Sequence, residues 1–88
     1  MTAEQISILR DTILRVAARF KAPLASSTIE VCVGQAGFRC DAEQLDDHLR
    51  YLCITGFLTE APRSHTAQLR QWQITAAGLR DLEQRGLI

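Results

Sequence analysis

The residues of this chain that could do chemistry are Cys32, Cys40, Cys53, His48, His65 and the run Asp46-Asp47-His48. A structural zinc site asks for Cys or His at short paired spacings, because four ligands must converge on one tetrahedral ion. Here seven residues separate Cys32 from Cys40 and twelve separate Cys40 from Cys53, and neither histidine closes a pair. No metal and no other cofactor is expected. Consecutive residues on a helix leave it at steps of about 100°, so Asp46, Asp47 and His48 face different directions. That is poor geometry for acid–base catalysis. There is no Gly-rich phosphate loop and no Ser/His/Asp arrangement in a recognisable context. The chain is not expected to be an enzyme, and His48 reads as a helix-flank residue. Cys32 reads as core. Cys40 is expected to be exposed before Asp41, where a thiol sensor would need more basic neighbours than Arg39 to lower its pKa.

The elements that must position these residues follow from periodicity and caps. Thr2 and Gln5 have the spacing of a capping box. Ile6, Leu9, Ile13, Val16, Ala17 and Phe20 then form one apolar stripe, predicting a helix over residues 3–21 that Pro23 ends. Ser27 and Glu30 repeat the capping spacing, Ile29, Cys32, Val33 and Ala36 line a short second helix, and Gly37 stops it. Asp41 and Gln44 start a third helix, residues 42–55, whose apolar face is Leu45, Leu49 and Leu52 and whose stop is Gly56. Residues 57–61 read as a strand, residues 62–68 as a polar loop, and residues 69–75 as a strand alternating with Arg70, Trp72 and Ile74 on one side. Thr75 caps a last helix carrying Leu79 and Leu82, which Gly86 ends. The expected fold class is mainly α with a small β-hairpin, in one domain over residues 1–88. The order helix, helix, helix, strand, loop, strand, helix matches a winged helix-turn-helix. The helix pair around Gly37 is then the helix-turn-helix unit, the third helix the reading helix, and residues 62–68 the wing tip.

The bulk numbers narrow the function. With 47% hydrophobic and 23% charged residues, the composition is that of an ordinary globular domain. Ten basic residues balance ten acidic ones, so the chain lacks the strong positive charge that announces a polyanion partner. No apolar run reaches bilayer-spanning length. The start, Met1 to Glu4, leads into an amphipathic pattern rather than the basic and apolar stretches of a secretory leader. An odd number of cysteines with no close pair fits a reducing compartment, so a cytoplasmic location is expected.

Two segments carry a family resemblance. The run LDDHLRYLCITGFLTE, residues 45–60, resembles the reading-helix-to-strand segment of bacterial winged-helix transcription regulators. The run WQITAAGLRDLE, residues 72–83, resembles their second wing strand and following helix. Size and bare architecture look most like the small winged-helix proteins of Mu-like prophages. The resemblance implies a DNA-binding, regulatory role and no catalytic residues.

On that reading, Gln44, Asp47, His48 and Arg50 of the third helix face bases, and Arg63, His65, Gln68 and Arg70 of the wing hold phosphates of double-stranded DNA. From Asp41 to the end of this helix four carboxylates stand against the one arginine, a net of three negative charges. Acidic groups in a first turn stabilise a helix start, but a cluster of them repels phosphate and argues against ordinary high affinity. A basic wing favours DNA, although an exposed hairpin is polar in any case. Ile8, Val31 and Ile54 fall opposite the core stripes of their helices, which points to a second buried surface such as a homodimer interface. The alternative to DNA binding is a protein–protein interaction module on the same scaffold, with Ile54 and the acidic helix meeting the partner.

Overall fold

The computed structural model describes residues 2–20, 22–61 and 71–88. Its elements run α1 (Ala3–Phe20), β1 (Leu24–Ala25), α2 (Ser26–Gln35), α3 (Ala42–Ile54), β2 (Leu58–Glu60), β3 (Gln71–Ile74) and α4 (Ala76–Gln84). The expected wing tip, residues 62–68, lies outside the described residues.

Helix α1 starts as its sequence dictates. The backbone N–H of Thr2 donates to Gln5 Oε1 at 2.9 Å, and that of Gln5 to Thr2 Oγ1 at 3.1 Å. Its buried face is Leu9, Ile13, Leu14 and Ala17. Leu14 lies off the predicted stripe, whereas Phe20, predicted on it, is 47% exposed. The helix is covered on two sides, by α2 and α4, so the buried arc is wider than one stripe.

Helix α2 departs from its predicted start. Ser27 caps nothing: the N-cap is Ala25, extended and without a side-chain cap. The preceding residues Leu24 and Ala25 form β1 and pair antiparallel with Trp72 and Gln71. The sheet therefore has three strands, in the order β1-β3-β2, where a two-stranded hairpin was expected. Two residues cannot display a period, which is why β1 is silent in sequence. Helix α2 ends at Gly37 (φ 96°), as expected, with Phe38 N–H reaching Val33 O at 3.2 Å.

Trp72 is the centre of the molecule. It is 1% exposed and packs in one core with Leu9, Ile29, Leu45, Leu49, Leu58 and Leu82. Its indole Nε1–H donates to Ser26 Oγ at 2.8 Å, which ties the sheet to the first turn of α2. On the other side of the sheet, Thr75 caps α4 by accepting from Gly78 N–H at 3.1 Å, as its sequence position predicts, and donates to Gly56 O at 2.6 Å. Gly78 is buried, and a Cβ there would stand 2.5 Å from Phe57 O, so only glycine lets α4 close on the turn after α3. Leu82 enters the core, but Leu79, predicted beside it, remains 36% exposed. Arg85 then fastens α4 to α1 by pairing with Asp11 at 2.7 Å.

Three helices, a small antiparallel sheet and a closing helix make a winged helix-turn-helix, with α2 and α3 as the helix pair. Among the described residues no helix is long and apolar enough to cross a membrane.

Candidate nucleic-acid interface

Helix α3 is held at its start by its own sequence. Asp41 Oδ1 accepts from Gln44 N–H at 2.8 Å, and Gln44 Oε1 accepts from Asp41 N–H at 3.1 Å, the reciprocal capping box predicted from their spacing. Leu45, Leu49 and Leu52 are buried, as expected, which leaves the opposite arc of the helix to solvent. The helix ends at Gly56 (φ 89°), where Phe57 N–H returns to Leu52 O at 3.0 Å and turns the chain into β2.

The four predicted contact residues of α3 are placed differently. Asp47 is exposed on the outward arc. Gln44 is exposed as well, with its carbonyl in the capping box and its amide N–H groups left to donate. Arg50 is exposed and pairs with Asp46 at 2.7 Å. His48 is only partly exposed and turns toward α1, where Arg10 Nε donates to its Nδ1 at 3.3 Å. Its pKa is lowered from 6.5, first by burial and then by the Arg10 charge, against a smaller opposing effect of Asp47. The predicted wing contacts Arg63, His65, Gln68 and Arg70 lie outside the described residues.

The charge of α3 looks different once partners are assigned. Asp41 is engaged in the cap and Asp46 with Arg50, so Glu43 and Asp47 are the carboxylates left toward solvent. Two residues outside the predicted contact set complete this surface. Tyr51, 44% exposed, lies one turn beyond His48, and Arg10 of α1 rests its guanidinium 3.6 Å from the Tyr51 ring centroid. Tyr51 was findable, since His48 and Tyr51 stand three apart on one helix. The contact of Arg10 with Tyr51 and His48 was not, because it joins two helices.

The three predicted interface residues are outward, each on a different helix: Ile8 is 49% exposed on α1, Val31 59% on α2 and Ile54 84% on α3. Ile54 borders an open groove of about 500 Å³ with Arg50, Cys53, Leu58 and Thr59. The cysteines offer little reactivity. Cys40 and Cys53 pack against the core, and burial, with Asp41 beside one and Glu60 beside the other, raises both thiol pKa values. Cys40 is thus not the exposed thiol expected from sequence, and Cys32, expected in the core, is only half-buried.

No protein-family model matches the chain, and no curated protein matches it. Among solved structures it is similar to the crystal structure of a PadR family transcriptional regulator from Eggerthella lenta DSM 2243. The TM-score is 0.67 at 18% sequence identity, over 97% of this chain and 78% of the other. At that identity the likeness speaks for the shared winged-helix fold.

Proposed function

We propose that this domain binds double-stranded DNA as a winged-helix transcription regulator, with α3 in the major groove and the wing against the backbone. The observation that carries this reading is the outward arc of α3. It is uncovered, capped at its start, and bears Gln44, Asp47 and Arg50, with half-buried His48 at its edge toward α1, on the helix that this fold presents to base edges. The cap takes up Asp41 and Arg50 pairs with Asp46, so the net charge of the helix is unchanged and Glu43 and Asp47 are the carboxylates that face solvent. The solved neighbour, by its title a transcriptional regulator, supports the same class. In this reading Arg63, His65, Gln68 and Arg70 hold phosphates, the protein works in the cytoplasm without a catalytic role, and a homodimer presents two copies of α3 to the DNA. The association with Mu-like prophages rests on the sequence resemblance alone.

The test is titration of a mixed-sequence duplex at low salt by fluorescence anisotropy. Association that weakens steeply between about 50 and 200 mM salt is the expected result. No association at low salt overturns the proposal.

The 84% exposure of Ile54 beside its groove favours a second reading, a protein-interaction module without DNA binding. Ile54→Glu then disrupts an assembly seen by size-exclusion chromatography with light scattering. An unchanged assembly state counts against that reading.

A further inference from the structure

The contact between Arg10 and His48 specifies a proton position. Arg10 can only donate, so the bond requires a lone pair on Nδ1 and leaves the proton of neutral His48 on Nε2. Among the described residues Nε2 has no hydrogen-bond partner and no buried side-chain nitrogen or oxygen lacks one, so Nε2–H is open to solvent. Arg10 is itself held. Its guanidinium lies on the Tyr51 ring and it forms no ion pair among the described residues. The acids nearest along the groove that Arg10 lines, Asp11 on α1 and Asp81 on α4, are both taken by Arg85. Among the described residues the charged groups acting on His48 are Arg10 from α1 and Asp47 from α3, and burial together with Arg10 favours the neutral ring.

We propose that Arg10 is a positioning residue for base reading by α3: it holds His48 in the Nε2–H tautomer, so that His48 offers the groove an N–H donor and no acceptor. This rests on α3 being the DNA-reading helix. A neutral donor suits the acceptor edge of a purine, N7 of guanine or adenine or O6 of guanine, and is mismatched to the amino group of cytosine. A free imidazole can exchange tautomers and accept as well as donate. Arg10 would thus restrict specificity without touching DNA.

The first experiment needs no DNA. Imidazole nitrogen shifts of the ¹⁵N-labelled chain are followed from about pH 5 to 8. The expected result is an unprotonated Nδ1 on His48 at neutral pH and a titration midpoint below the ordinary histidine value. Arg10→Met moves the midpoint up and releases Nδ1, Arg10→Lys partly restores both, and Tyr51→Leu, should Arg10→Met not fold, gives the same shift in smaller measure. A wild-type His48 that titrates as free histidine overturns the proposal. The second experiment uses the tightest duplex selected from a random pool. Replacing N7 by a carbon at the contacted purine is expected to weaken wild-type binding roughly three- to tenfold, the effect of one hydrogen bond, and to leave His48→Ala unaffected. If no duplex binds at low salt, the DNA reading itself fails. If duplex binds but neither the 7-deaza base nor Arg10→Met changes base preference, the His48 inference fails alone.

Discussion

Helices α2 and α3 form one helix-turn-helix pair, yet they begin in opposite ways. Helix α3 closes its own first turn through Asp41 and Gln44, two side chains three residues apart. Helix α2 has the same spacing in Ser27 and Glu30 but does not use it, and starts from an uncapped Ala25. What holds α2 is remote: β1 pairs with β3, and Ser26 receives the Trp72 indole N–H across 46 positions of sequence. One helix is set by local chemistry and the other by the sheet. Capping spacing is thus not a sufficient sign, and the backbone before the helix decides whether it is used.

Substitutions can break this contrast. The largest expected effect is at Trp72, whose replacement by Ala removes both the core filling and the tie to α2. A loss of roughly 3–5 kcal/mol, or no folding at all, should appear in urea denaturation. Next, Ser26→Ala leaves the indole N–H of Trp72 without this partner and is expected to cost about 1–3 kcal/mol by the same measurement. Asp41→Ala removes the local cap of α3 and should cost about 1 kcal/mol. A Ser26 variant as stable as wild type would remove the remote support assigned to α2.

A smaller effect tests the remote tie that α3 has at His48. Its folded pKa is lowered, so the unfolded chain takes up this proton first as pH falls below 6.5. Stability from this group is present above that value and is lost as pH falls through the lower folded value. Thermal melts at a series of pH values should show that loss, and His48→Gln should remove it. The smallest effect is expected at Ser27→Ala, within about 0.5 kcal/mol of wild type. A larger loss there would mean that Ser27 caps α2 after all.

The candidate site was legible to the same depth as α3. Its inward leucines and its cap follow from spacing, so the outward position of Asp47 and Ile54 follows as well. Counting charges along the helix, however, leaves their placement open. The count cannot tell that Asp46 lies against Arg50, that Asp41 is occupied in the cap, or that Nδ1 of His48 is taken by Arg10 of α1. Leu14 and Gly78 were missed because α1 and α4 bury more than the single stripe that periodicity reveals.

By itself the sequence determined the helical elements, the caps of α1, α3 and α4, and the alternating strand that carries Trp72. Each depends on partners within one turn or one strand period, so the information is local. Tertiary structure decided the third strand, the start of α2, the docking of Arg85 on Asp11, and the assembly of Arg10, His48 and Tyr51 on the face of α3. These join groups far apart in sequence, 38 residues for Arg10 and His48, 46 for Ser26 and Trp72, and more for Asp11 and Arg85, and no periodicity encodes which helix faces will meet. They exist because burying Trp72 and the leucines brings the helices together, and the polar side chains at the seams then take the partners that packing supplies.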